Sequence, residues 1–488
     1  MPEPAKQVRR DSPDPGSRRM GVIGLIAAIS LVLVVMVFQQ FGESAASKAT
    51  HANAAAVEPP SVADPVRMAS SIMVRMQDFI KTAGAQGGGP TPGSFGDPMG
   101  QIESGAVTTV DKFRVAIVAA ELVSDASAEQ RLAKLDADVA AGKAEQFEGY
   151  EEDKATFERV LAGEADALPM AERERFVERH GYFGELALSK GKPATDAMRE
   201  KVAGGGAKLV AIFVVIGLVV VFAFFAAITC FIIACVKLGQ RGLQRRFLPP
   251  MPGGSVFIEL VAFFAGGFIV YKLAGDVLSG LFADTQTYLL VVLLLQWVLA
   301  LIVFYPLLRG VSFAELRRRI GWTSGQGVWK EIGAGIFGYF AFLPIFFLAV
   351  VVAWLLMALW TLIRGGDAGP APSTAVGDLI GGASGITIIV LFSLVTIWAP
   401  LVEESVMRGA LYRHLRSHVG MFLAAAISAA CFGLMHGYPF LLLLPVTMLG
   451  FGFALMREWR GSLIAPIVAH FMHNATVFTI LLLLFSVL

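Results

Sequence analysis

Two adjacent carboxylates, Glu403 and Glu404, follow directly on the apolar run 391–402 of this 488-residue chain. Ionisable groups in such a setting cost several kcal/mol unless they are paired or used. Glu404 and Arg408 are four residues apart and can pair on one helical face. Glu403 has only Met407 at that spacing, so it lacks a local partner and is a candidate general base. Five of the seven histidines come after residue 410, which concentrates the imidazoles in the same part of the chain. His436 ends the run Phe432-Gly-Leu-Met-His436. His470 and Asn474 stand four apart and share a face, while His473 is offset and could be an alternative ligand. Each of these alone has a plain reading as a helix ion pair or a satisfied core histidine.

Together they are harder to explain as packing. Glu403, Glu404, Arg408, His436, His470 and Asn474 fall on three predicted spans, each polar within an apolar background. Burying so many unrelated polar groups is costly unless they meet. The midpoint between Glu403 and His436 is the Val419–Gly420 turn. Two antiparallel helices turning there, with legs of about 24 Å at the helical rise, bring both residues to similar depth. Pro400 is placed to kink the first helix just ahead of the carboxylates.

Elements able to hold such groups inside a bilayer are written into the composition. The chain is 55% hydrophobic and 16% charged, well below the roughly 25% charge of soluble domains. Nine apolar runs can cross a bilayer: about 20–38, 207–236, 256–274, 287–308, 332–362, 386–407, 420–437, 441–456 and 462–487. The first resembles a signal peptide with small residues at 44–46. Its apolar stretch exceeds the roughly 7–15 residues of that class, so an uncleaved anchor is expected. The expected fold is therefore all-α, a polytopic bundle of about nine transmembrane helices. Eight of them form the C-terminal bundle, and a helical extracytoplasmic domain is inserted after the first span.

The net charge of +1 hides a segregation. Residues 39–205 hold 26 acids and 18 bases, a net of −8, and the remainder nets +9. The bases sit between apolar runs, which fits charge-sorted topology and not nucleic-acid binding. Lys and Arg gather in the tail before residue 20, in 237–246, 309–330 and 408–418, and at Arg457 and Arg460. The connections 275–286 and 363–385 hold one Arg between them. This alternation puts the N-terminus in the cytoplasm and 39–205 outside it; the expected location is a bacterial cytoplasmic membrane. The expected division is a 1–19 cytoplasmic tail, a 20–38 anchor, the acidic 39–205 domain and a 207–488 membrane domain with its core at about 380–488.

The 39–205 domain reads as helical. Ser127-Ala-Glu-Gln130 has a capping-box pattern, ahead of an Ala/Glu/Lys-rich stretch to about Leu161. Pro169 suits the first turn of a helix through Glu185. The Gly/Pro-rich 84–100 reads as a loop and 204–206 as a hinge. Ser312 and Glu315 cap a short basic helix at the cytoplasmic membrane surface. Cys230, Cys235 and Cys431 lie in apolar runs and offer no disulfide framework.

The ordered set Glu403-Glu404-x-x-x-Arg408, Phe432-x-x-x-His436 and His470-x-x-x-Asn474 resembles the CPBP family of type II CAAX prenyl endopeptidases and bacteriocin-processing or immunity proteins. Ala399-Pro400-Leu401-Val402 and Gly409 around the glutamates are similar too. The resemblance covers about 256–488 and is motif-specific over 398–475. It implies an intramembrane endopeptidase acting on peptide or protein substrates in or at the lipid bilayer. Glu403 would activate water with help from His436, Arg408 would hold Glu404, and His470 and Asn474 would stabilise the oxyanion. Two Glu and two His could hold Zn²⁺, with Glu403, His436 and His470 as candidate ligands. The usual His-Glu-x-x-His helix is absent, and a water-activating glutamate without bound metal is equally consistent.

Two other readings compete. Gly382-Ala-Ser384-Gly385 is similar to the nucleophile motif of rhomboid serine proteases, although Ser and Gly are also ordinary residues at a helix start. A non-catalytic scaffold, such as an immunity or sensor protein, would use the same spans without turnover. A nucleotide-driven transporter is disfavoured because no phosphate-binding Gly-Lys loop occurs.

Overall fold

The computed structural model describes residues 10–37, 57, 59–61, 64–84, 98–240, 242–282, 284–363, 380, 383–438 and 443–487. Most of the 84–100 loop, the small residues at 44–46 and most of 363–385 lie outside them. The described residues are helical and include no β-strand. The chain divides into two compact units. One is built from 1–44, 220–359 and 383–479, the other from 45–219, 360–382 and 480–488.

Helices stand at all nine apolar runs. Seven are long and apolar enough to span: Arg18–Val37, Ala197–Gly239, Val256–Ser279, Gln286–Leu308, Val328–Ile363, Gly385–His418 and Ile464–Phe485. The Ala197–Gly239 span includes a turn at Gly204 and Gly205, where Gly205 has φ +81°; the apolar helix itself runs Gly206–Gly239. The chain is thus an integral, multi-pass, all-α membrane protein. The remaining two helices fall short for physical reasons. Met421–Leu434 has 14 residues, about 21 Å against a hydrocarbon core of about 30 Å. Leu443–Arg460 ends in Arg457, Glu458 and Arg460.

The bases that read as loop charges are in large part buried. Arg416 forks onto Glu458 at 3.0 and 3.1 Å, and Tyr412 donates to the same carboxylate. Arg460 forks onto Glu331 at 2.7 and 2.9 Å. Arg319 pairs with Asp14 at 2.6 Å. The short helix Phe313–Ile320 has Ser312 as N-cap, as expected. Glu315, however, turns to Arg318 and Arg319 instead of reaching back to the cap. Arg319 is 6% exposed, so this helix packs into the protein along one edge.

In the second unit the helix Thr109–Leu122 is the centre. Thr108 and Asp111 close a capping box at its start, and residues 113–120 are buried without interruption. Phe113 meets Phe147, Tyr150, Phe157 and Phe176 edge-on at 5.7–6.5 Å, a favoured arrangement of aromatic quadrupoles. The expected helix to Leu161 is two helices, Asp125–Ala140 and Tyr150–Leu161. Gly142 and Gly149 adopt φ +67° and +83°, and those left-handed turns break it. Its N-cap is Ser124; Ser127 supplies the N–H that Ser124 accepts. The helix expected through Glu185 likewise stops at His180 and restarts at Tyr182, because Gly181 has φ +52°.

His180 in this unit is fully buried, with Nε2 3.0 Å from Asp153. Burial pushes the imidazole below its ordinary value and the Asp153 contact offsets only part of that. On acidification the unfolded chain takes up the proton before the folded one does. The stability contribution is therefore intact above the ordinary histidine value, near 6.5, and is lost progressively as pH falls below it. Thermal melting at pH 7.5 and pH 5 is expected to show the loss, and His180→Phe is expected to flatten the dependence.

Candidate active site

The helix Gly385–His418 carries the carboxylates and is not regular. Two wide turns interrupt it, Leu394–Trp398 and Ser405–Leu411. Ala399 donates to Leu394 and Tyr412 to Met407, both five residues back. Such turns recur at functional sites because they re-aim side chains and free a carbonyl. Pro400 follows the first wide turn directly and brings no N–H to the helix ladder. Glu403 and Glu404 lie on the single regular stretch between the two, Ala399–Glu404.

Glu404 and Arg408 are wholly buried. Arg408 Nη1 donates to Glu404 Oε1 at 2.9 Å, and Nη2 donates to the Gly450 carbonyl at 2.9 Å. The guanidinium lies over Phe432 at 4.4 Å and Phe453 at 5.3 Å, which adds cation–π attraction in a desolvated place. His470 Nδ1 is 3.0 Å from the same Glu404 Oε1. A carboxylate only accepts, so Nδ1 carries the proton and Nε2 faces the other way. Phe453 stacks on the His470 ring at 5.2 Å. A Cβ at Gly450 would stand 2.9 Å from Arg408 Nη2 and 3.0 Å from Phe432. Gly450→Ala is therefore expected to destabilise the protein by about 1–3 kcal/mol and to lower any activity that needs Arg408. Melting in detergent beside a turnover assay checks both.

Glu403 is the open member, with its side chain 21% exposed. Its Oε2 has no direct hydrogen bond. His436 Nε2 lies 3.9 Å from that oxygen and His470 Nε2 lies 4.0 Å away. His436 Nδ1 is 2.7 Å from the Phe432 carbonyl, so it too carries its proton there and leaves Nε2 facing Glu403. The two imidazoles thus point the same nitrogen at one carboxylate oxygen. Both distances are too long for a hydrogen bond and short enough for one bridging water. Asn474 is held elsewhere: its Nδ2 donates to the Val395 carbonyl at 2.8 Å, within the first wide turn.

The donor types around Glu403 suit Zn²⁺, and both histidines have the outer hydrogen bond that metal ligands usually have. The spacing does not suit it. Ligands about 2.0–2.1 Å from zinc in a tetrahedron stand about 3.3 Å from one another, against 3.9 and 4.0 Å here. Among the described residues no group of three His, Cys, Asp or Glu is placed to hold an ion.

His473 does not join the site. Its ring packs edge-on against Tyr339 and Phe346 at 6.2 and 5.3 Å. His414 and His418 pack on each other at 4.9 Å near the end of the carboxylate helix. Ser384 caps that helix; its Oγ bonds Thr387 Oγ1 at 2.9 Å. Nineteen residues separate it from Glu403, about 28 Å along a helix. Three residues that support the site gave no sequence signal. Gly450 contributes a backbone carbonyl, Phe453 a ring, and Trp322 a hydrogen bond of 2.9 Å to Ser405, next to Glu404.

Residues 385–476 match the family model described as type II CAAX prenyl endopeptidase Rce1-like. An uncharacterized protein of Bacillus subtilis (strain 168), YpbD, is 35% identical over 80 residues, 16% of this chain. The chain spans 40% of the length of that relative. No solved structure matches. The 385–476 segment is therefore an Rce1-like domain, which supports a CPBP-family membrane protease.

Proposed function

We propose that the chain hydrolyses peptide bonds of membrane-associated or CAAX-like substrates with a water activated by Glu403. One observation carries this reading: two imidazole Nε2 atoms face Glu403 Oε2 while their Nδ1 sides are fixed by Phe432 and Glu404. A water between Glu403 and His436 is held for attack. Its oxygen adds to the substrate carbonyl carbon as its proton passes to Glu403. His470, anchored through Nδ1 on Glu404, is the donor assigned to the oxyanion from Nε2, together with Asn474. The C–N bond then breaks, and Glu403 returns its proton to the leaving amine.

The basic end of the bundle is the cytoplasmic side in this reading, and the acidic 39–205 segment is extracytoplasmic. Comparison of membrane proteomes from cells carrying the wild type or Glu403→Gln tests the function. Substrates are expected to accumulate uncut in the variant. Identical proteomes, with both proteins present in equal amount, would favour a non-catalytic scaffold.

A further inference from the structure

The segment ahead of the first helix is docked, and its contacts run to the helix that bears the carboxylates. Asp14 is 8% exposed. Its carboxylate takes Arg413 Nη2 at 2.8 Å, Arg413 Nε at 3.0 Å and Arg319 Nη1 at 2.6 Å. Asp11 adds a second contact to Arg413 Nη2 at 3.1 Å. Arg319 also donates to the Pro13 carbonyl at 3.0 Å. The backbone is stitched down as well: Asp11 donates to Pro249, Met251 donates to Asp11, and Ser255 and Val256 donate to Pro15.

Arg413 is 3% exposed and Arg319 is 6% exposed. Arg413 lies five residues beyond Arg408 on the same helix, just past its second wide turn. Beside it, Ile320 presses on Gly409, where a Cβ would stand 2.8 Å from the isoleucine. Arg319 and Arg413 thus meet at the point where the Phe313–Ile320 helix touches the carboxylate helix. Two buried guanidiniums side by side repel, and a shared carboxylate is what lets them pack.

We propose that Asp14, seconded by Asp11, is a positioning residue for the active site. By neutralising Arg413 and Arg319 together, it fixes the end of the carboxylate helix and hence the placement of Glu403 and Glu404. The catalytic part of this inference rests on the function proposed above; the docking part does not. The strap belongs to this chain's segment before residue 18, and the resemblance to the protease family does not extend there.

The test uses the full chain in detergent or nanodiscs, with Asp14→Asn, Asp14→Glu and Asp11→Asn. Amide hydrogen exchange over 405–418 and 313–320 reads docking, and kcat and KM for a cleaved peptide read catalysis. Asp14→Asn is expected to speed exchange in both segments at least tenfold and to lower kcat at least tenfold with KM within twofold. Asp14→Glu is expected to recover most of both. Asp11 also pairs with Arg318 at 3.1 Å, so Asp11→Asn is expected to change both segments, more mildly, and it serves if Asp14→Asn fails to accumulate. Unchanged exchange in folded Asp14→Asn, or in Asp11→Asn where only that variant folds, overturns the docking role. Faster exchange with unchanged kcat overturns the positioning role. If the wild type cleaves nothing, the proposed function fails while the exchange arms still decide the strap.

Discussion

Glu403→Gln is expected to lower kcat by about 10²- to 10⁴-fold, the range for loss of a positioned general base. That corresponds to about 3–5 kcal/mol of transition-state stabilisation. The amide keeps the shape of the carboxylate but cannot take the proton from water. Glu403 Oε2 makes no direct hydrogen bond in the folded protein, so the substitution leaves no partner stranded. KM and melting temperature are therefore expected to stay near wild type, which separates a chemical defect from a folding one. A comparable fall in kcat for His436→Ala is expected, because that imidazole is the other side of the proposed water site.

Arg408→Met is expected to be the most damaging substitution for stability. It leaves Glu404, fully buried, without its guanidinium partner, and it leaves the Gly450 carbonyl without its donor. Breaking a buried pair from one side costs about 3–5 kcal/mol. Glu404→Gln is expected to be costly for the converse reason, since Arg408 then keeps a neutral amide oxygen, the Gly450 carbonyl and two aromatic faces but no counter-charge. The double variant is the informative one. Removing both charges is expected to recover several kcal/mol relative to the sum of the singles, while activity remains lost because His470 has no anion behind it. Denaturation in mixed micelles measures the cycle. Additive singles would mean that the pair does not act as a unit.

How far the sequence speaks depends on whether the signal is local. The spans are legible because apolar runs of bilayer length are a property of contiguous residues. The Glu404–Arg408 pair is legible because four residues make one helical turn. The antiparallel turn at Val419–Gly420 follows from counting, and the helix does end at His418 with the next beginning at Met421. What is not legible is anything carried by a backbone atom or by a residue distant in sequence. Gly450 supplies a carbonyl, which no side chain announces. The wide turns around Ala399–Glu404 follow from packing that local propensity does not encode, even though Pro400 marks the place. The basic residues show the limit most clearly. Arg319, Arg413, Arg416 and Arg460 count as loop charges by position, yet each is buried against a carboxylate. Asp14 and Glu458 look like unremarkable acids until the fold brings them beside those bases. In the other unit Gly142, Gly149 and Gly181 interrupt an Ala/Glu/Lys-rich helical background, and their left-handed φ values decide where the helices break.

The central claim is that Glu403, and no serine, activates the nucleophile. The most direct measurement is cleavage of a membrane-inserted peptide by the purified chain in nanodiscs, with new termini read by mass spectrometry, for wild type, Glu403→Gln and Ser384→Ala. The same cut is expected in wild type and Ser384→Ala, and none in Glu403→Gln. Cleavage that survives Glu403→Gln and disappears with Ser384→Ala would contradict that claim.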